Sequence, residues 1–302
     1  MSRLAVELAG IRLQNPVLAA SGTFGYGREY AGLVPPARLG AVITKGTSLE
    51  PWPGNPPPRT VETAAGMLNS IGLENPGLNH LVEEDLPWLA GQGATVIVNV
   101  VGRTIEEYVA VAEVLDRHRG VSGLELNISC PNVDKGGLAF GAAPETAYAL
   151  VRAVRKRTRL PLLVKLSPNV TDLVRIAQRV REAGADGLSA VNTLVGMAID
   201  LERRRPVLGN VTGGLSGPAI KPVALAAVWR LYQVGLPILG LGGIATWSDA
   251  AEFLLAGATA IAVGTATFAR PRAMLEIVEG LEGYLACQGI ANVSELVGRA
   301  HG

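Results

Sequence analysis

The sequence predicts an α/β fold, a closed (β/α)₈ barrel of the TIM type, and three observations carry that prediction. Eight short apolar runs recur along the 302 residues. Each is followed by Gly, Asn, Ser or Lys, and most are then followed by an amphipathic segment of helical period. Short buried runs alternating with helices indicate parallel strands joined by crossovers. Finally, no Gly-x-Gly-x-x-Gly turn follows the first run, as an open doubly wound sheet would more often show.

The runs are Pro16–Ala20, Ala41–Thr44, Thr95–Val100, Gly123–Ile128, Pro161–Leu166, Gly187–Val191, Pro237–Leu241 and Thr259–Val263. Helices are expected over Thr104–Arg117, Pro144–Thr158, Thr171–Ala183, Pro218–Tyr232, Trp247–Ala256 and Arg272–Gln288. Thr104-Ile-Glu-Glu and Thr171-Asp-Leu read as N-caps followed by acidic first turns. Ahead of the first run, Leu4–Leu8 and Ile11–Leu13 flank Ala9-Gly10 and read as a hairpin capping the bottom of the barrel. The long connections Gly46–Ala94 and Asn192–Leu236 are expected to be functional loops. With no low-complexity linker, residues 1–302 are expected to form a single domain.

Composition narrows the function. A net charge of +1 supplies no field for nucleic acid or an anionic membrane. Two cysteines, Cys130 and Cys287, form no disulfide framework and cannot hold an iron–sulfur cluster, which usually takes four thiolates. The three histidines match no metal-ligand spacing. No targeting segment is expected at the N-terminus. Leu231 to Ser248 is uncharged, but Pro237 and four glycines favour a loop, a strand and a turn over a membrane span. A cytoplasmic protein is expected.

In such a barrel the active site lies at the C-terminal ends of the strands. The residues there are Ser21, Lys45, Asn99, Asn127, Lys165 and Asn192, then Gly242-Gly243 and Gly264-Thr265. Any one could be a polar strand end. Together they hold two of only five lysines, three amides and no acid. A lysine after Ala-Val-Ile-Thr or Leu-Leu-Val is costly unless it faces a cavity or a ligand, so the rim suits an anion. The glycines after the last two strands offer backbone N–H groups at the usual phosphate corner of these barrels. Gly213-Gly-Leu-Ser-Gly-Pro218, before a helix, aims more at the same corner. Cys130 opens the polar, Gly-rich stretch Ser129–Gly141. It is either a packing cysteine or a base whose thiol, with a pKa of about 8.5, the site activates. Cys287, among apolar neighbours, reads as packing.

The set Ala20-Ser-Gly-Thr-Phe, Thr44-Lys-Gly, Asn69-Ser-Ile-Gly-Leu73, Asn127-Ile-Ser-Cys-Pro-Asn, Val164-Lys-Leu-Ser-Pro and Val191-Asn-Thr resembles the dihydroorotate dehydrogenases over nearly the whole chain. A cysteine at 130 resembles class 1, and Lys135-Gly-Gly-Leu-Ala-Phe-Gly141 is similar to the class 1B, NAD-linked catalytic subunit. The resemblance implies oxidation of (S)-dihydroorotate to orotate in de novo pyrimidine (UMP) biosynthesis, on one FMN per chain. It implies that Ser21, Lys45, Gly46, Asn99, Asn127, Lys165 and Val191 hold the flavin ring and ribityl chain, and that Gly217, Gly242, Gly243, Gly264 and Thr265 hold the phosphate. Substrate would meet Lys45, Asn69, Ser70, Ile71, Gly72, Leu73, Asn127, Asn192 and Thr193. Cys130 would take the C5 proton as C6 delivers hydride to flavin N5, under a lid formed by the loop after it. A lysine ammonium beside the reduced ring would be worth about 4 kcal/mol at roughly 4 Å and an effective dielectric of about 20, before desolvation. The implied partner is an electron-transfer subunit carrying FAD and a [2Fe–2S] cluster, in a heterotetramer of two copies of each chain. A class 1A homodimer that reduces fumarate would carry the same site residues. Outside this family, a Schiff-base aldolase using Lys165 and a non-catalytic scaffold are the competing readings.

Overall fold

The computed structural model describes residues 2–128 and 140–302. The chain begins with β1 (Val6–Leu8) and β2 (Ile11–Leu13), an antiparallel hairpin in which Glu7 pairs with Arg12. Ala9 and Gly10 both have positive φ, 51° and 85°. That is the turn geometry whose twist matches the flanking strands. Strict alternation sends Val6, Leu8, Ile11 and Leu13 inward. The hairpin lies against the start of the barrel: a Cβ on Gly123 would meet Ile11 Cδ1 at 2.6 Å, and one on Gly187 would meet Ala9 Cβ at 3.3 Å. Those glycines are the first residues of two barrel strands. The hairpin therefore plugs the N-terminal end, as expected.

In chain order the remaining strands are β3 (Val17–Ala19), β4 (Ala41–Ile43), β5 (Thr60–Thr63), β6 (Gly66–Asn69), β7 (Val96–Val100), β8 (Gly123–Asn127), β9 (Leu162–Leu166), β10 (Gly187–Ala190), β11 (Leu194–Met197), β12 (Ile199–Asp200), β13 (Arg205–Pro206), β14 (Thr212–Ser216), β15 (Ile238–Leu241) and β16 (Ala260–Val263). Strands β3, β4, β7, β8, β9, β10, β15 and β16 close into one parallel barrel in that order, with β16 returning to β3. They correspond one for one to the eight apolar runs. Every residue in them is buried, because helices cover the outside while the inside packs on itself. Register places Asn99 beside Glu125, Asn127 beside Lys165, and Lys165 beside Ser189. Paired residues in adjacent parallel strands share a face.

The expected helices form over Ile105–Asp116, Pro144–Arg155, Leu173–Ala183, Lys221–Tyr232, Trp247–Leu255 and Ala273–Cys287, with a 3₁₀ turn at Pro218–Ile220 before the fourth. In the third, Leu173, Ile176, Ala177, Val180 and Ala183 form the buried stripe, at the helical spacing. Thr104 caps its helix by accepting from Glu107 N. The expected cap at Thr171 is corrected: Asp172 accepts from Arg175 N, and no acid stands in that first turn. Cys287 is also corrected. It is exposed at the end of the last helix, where Leu281 and Leu285 take the inward face. Leu231 to Ser248 divides into a helix end, β15 and a turn, and among the described residues no helix is long and apolar enough to cross a membrane.

The two long connections are more ordered than loops. They contribute β5 and β6, and β11 and β14, to a four-stranded antiparallel sheet in the order β11-β14-β6-β5. Asn69 pairs with Gly214 across 145 residues of chain, and its Nδ2 donates to Gly214 O at 3.4 Å. Gly213 to Ser216, expected to be a phosphate turn, therefore lies in a strand, and only Gly217 turns out of it.

Truncating Ile11 to Ala should open a cavity between plug and barrel and cost about 2–4 kcal/mol. Denaturant unfolding of the variant measures this, and an unchanged midpoint would mean the plug bears no load.

Candidate active site

At the C-terminal mouth of the barrel lies a cavity of about 950 Å³, walled by strand ends and roofed by the antiparallel sheet. Its floor includes Asn99, Asn127 and Lys165, which β7, β8 and β9 project inward. Ser21, Lys45, Gly46 and Val191 form the wall, and Gly217, Gly242, Gly243, Gly264 and Thr265 line one end. Asn69, Ile71, Gly72, Leu73, Asn192 and Thr193 also face it. Ser70 does not line the cavity. It is wholly buried behind the wall, with its N–H on Arg59 O at 2.7 Å. Cys130 lies outside the described residues.

The floor is a charged network. Lys165 Nζ donates to Ser21 Oγ at 3.1 Å and stands 3.7 Å from Glu125 Oε1. Asn99 Nδ2 donates to the same Glu125 oxygen at 2.6 Å. Asn99 Oδ1 is buried with no partner among the described residues. A Cβ on Gly46 would lie 3.1 Å from it, so glycine at 46 avoids crowding this acceptor. Among the described residues, no carboxylate pairs with Lys45. A half-buried cation without a counter-charge favours an anionic guest. Glu125 is the member that sequence reasoning missed. Its signal was available: in Gly-Leu-Glu-Leu-Asn, residues 125 and 127 share strand parity and so one face.

The amides beside the floor are also tied. Tyr108 OH donates to Asn127 O at 2.7 Å, Asn192 Nδ2 to Asn127 Oδ1 at 3.4 Å, and Asn169 Nδ2 to Thr193 O at 2.9 Å. Asn55 and Arg59 brace residues 69–73 from outside. Asn55 N donates to Ile71 O at 3.1 Å, and Arg59 pairs with Glu74 and donates to Pro53 O at 3.2 Å.

At the glycine end, Gly243 has φ 79°, and a Cβ there would meet Lys221 N at 2.7 Å. Only glycine fits so close to the helix start. Thr265 Oγ1 donates to Ser216 Oγ at 2.6 Å. A charged clamp holds the turn: Lys221 Nζ reaches Asp249 Oδ1 at 2.5 Å and Glu252 Oε1 at 2.9 Å, while Asp249 Oδ2 accepts from Ala245 N and Thr246 N at 3.0 and 2.8 Å. Arg270 adds a bond to Ala245 O. Burial pushes the Asp249 carboxyl up, but the bonds from Lys221, Ala245 and Thr246 outweigh it and hold it below its ordinary value. Burial pushes Lys221 down, and its two carboxylates more than reverse that. Among the described residues no cluster of His, Cys, Asp or Glu could hold a metal.

A closed parallel barrel with a lysine- and amide-lined cavity ending in glycine turns has the layout of a (β/α)₈-barrel enzyme with its site at the C-terminal mouth. A dihydroorotate dehydrogenase family model matches residues 3–285. The chain is 57% identical over 296 residues to a Geotalea uraniireducens protein, covering 98% of this chain and 97% of that one. It is 56% identical over 299 residues to one from Desulforamulus reducens (99% and 98%), and 56% over 296 residues to one from Geobacter sulfurreducens (98% and 97%). All three are named dihydroorotate dehydrogenase B (NAD(+)), catalytic subunit. The chain belongs to the dihydroorotate dehydrogenase family, and with it to the oxidoreductases. That family is flavin-dependent.

Because Asp249 has a folded pKa below its unfolded value of about 3.9, the stabilisation it lends is present above that value and lost as pH falls through the folded one. Lys221→Met should lower stability at neutral pH and flatten the loss between about pH 5 and pH 2. Parallel stability–pH curves for mutant and wild type would contradict the clamp.

Proposed function

We propose that this chain is the catalytic subunit of a class 1B, NAD-linked dihydroorotate dehydrogenase, oxidising (S)-dihydroorotate to orotate in pyrimidine biosynthesis. The carrying observation is the cavity itself. One continuous space joins a glycine cradle, a floor lined by Asn99, whose buried Oδ1 has no partner among the described residues, and a cluster of amides. These features fit FMN. Gly217, Gly242, Gly243, Gly264 and Thr265 would receive its phosphate. Asn99 Oδ1 would accept from the imide N–H of the ring, and Lys45 and Lys165 would stand by its electron-accepting edge. When bound, FMN supplies the two-electron acceptor that no side chain provides.

The chain's own residues then bind, orient and screen. Asn69, Asn127, Asn192 and Thr193 present donors and acceptors that match the amide and imide edges of a dihydropyrimidine. The backbone of Ile71 to Leu73 closes the same side, held by Asn55 and Arg59. Lys45 offers its charge to the substrate carboxylate. The reading gives Cys130 Sγ the C5 proton. That role rests on the resemblance of Asn127-Ile-Ser-Cys-Pro-Asn, as does Ser70 as a substrate contact.

The relatives are catalytic subunits by name, which supports a partner chain. Two cysteines leave a cluster to that partner. The reading therefore includes an electron-transfer subunit with FAD and [2Fe–2S], a two-plus-two heterotetramer, one FMN-binding domain over residues 1–302, and a cytoplasmic location. The NAD-linked names of the relatives favour this over a fumarate-reducing homodimer.

The test is electron acceptance. With dihydroorotate, the isolated chain should reduce NAD poorly and gain rapid NAD reduction when the partner subunit is added. Vigorous NAD reduction by the chain alone, or fast turnover with fumarate, would overturn the class 1B reading.

A further inference from the structure

Glu125 sits beneath the cavity floor without lining it. It is fully buried, and one of its oxygens, Oε1, meets two residues that do line the cavity: Asn99 at 2.6 Å and Lys165 at 3.7 Å. Its other oxygen, Oε2, is buried and has no partner among the described residues. Among the described residues no second hydrogen bond therefore anchors this carboxylate to the barrel wall. A buried charge is poor scaffolding, since an apolar side chain of similar volume usually packs as well or better. The floor needs a different reason for it.

Two reasons follow from its chemistry. A carboxylate only accepts hydrogen bonds, so it must receive the Nδ2 end of Asn99. That fixes the amide with Oδ1 on the remaining side, beside Gly46, where a Cβ would crowd it at 3.1 Å. Without the carboxylate, the amide could rotate and present a donor. The same negative charge partly cancels Lys165, whose ammonium otherwise favours any guest that gains negative charge.

We infer that Glu125 is a positioning residue of this site, setting the Asn99 amide as an acceptor toward the flavin and restraining the pull of Lys165 on its reduced form. The inference rests on the FMN reading above. It places on this carboxylate part of the task of keeping the flavin reducing enough to pass electrons on.

The test uses the full-length, FMN-loaded chain as wild type, Glu125→Gln and Glu125→Asp. Midpoint potential is read against dyes of known potential, and FMN affinity by fluorescence. Glu125→Gln removes the charge, so the potential should move positive by at least about 30 mV, a tenfold change for a two-electron couple. Glu125→Asp keeps the charge but shortens the reach to Asn99. Its potential should stay near wild type while FMN binds at least tenfold more weakly. An unmoved potential in Glu125→Gln, or unchanged FMN affinity in Glu125→Asp, overturns the inference; the second decides alone if the Gln variant does not fold. Loss of thermal stability with both readouts unchanged would mark a purely structural residue and also overturns it. A wild-type chain that takes up no flavin would bring down the functional reading, and this inference with it.

Discussion

The buried contact between Lys165 and Glu125 is the interaction on which the site depends. Closing eight parallel strands into a barrel forces alternate side chains into a shared interior. In most of this barrel that interior is aliphatic. At its C-terminal layer it must accommodate a cation from β9, a carboxylate from β8 and an amide from β7. Such a layer is tolerable only when its members satisfy one another, and here they do so incompletely. Asn99 Oδ1 and Glu125 Oε2 are left over among the described residues. Strand geometry has thus been used to hold polar groups against their own preference for water. Asn99 itself lines a cavity of about 950 Å³.

Around that layer the rest of the molecule divides its tasks by end. At the N-terminal end a hairpin with Ile11 against Gly123 seals the barrel and concerns stability alone. At the C-terminal end two long excursions of the chain meet as an antiparallel sheet and turn an open mouth into a cavity. The glycine cradle on one side is held by Lys221, Asp249 and Arg270, none of which needs to touch a phosphate to position its backbone donors. On the other side Asn55 and Arg59 do the same for residues 69–73. On both sides ionic and amide side chains brace the backbone that lines the cavity.

Much of this was legible in the sequence, for a definite reason. Barrel strands buried on both faces are continuous apolar runs, and the first polar residue after each run marks the mouth; Lys45 and Asn192 are found that way. The roofing sheet was not legible. Thr60–Thr63 and Leu194–Met197 are short, half-exposed strands, and Thr212–Ser216 carries two glycines. The pairing of β6 with β14 that joins their two hairpins spans about half the chain, so no local pattern announces the sheet. Glu125 escaped because attention to strand ends overlooks the residue two positions earlier. Asp172 replaced Thr171 as a cap because either side chain can accept the same bond and tertiary packing set the helix start.

Membership of the dihydroorotate dehydrogenase family joins these parts into the proposed account, in which the barrel's rim would bind a flavin and present a dihydropyrimidine to it. The most direct test is anaerobic titration of the FMN-loaded chain with dihydroorotate while the flavin absorbance is followed. The account predicts stoichiometric bleaching, one flavin per chain, with orotate as the product. A chain that retains no FMN, or a bound flavin that stays oxidised in excess dihydroorotate, would contradict it.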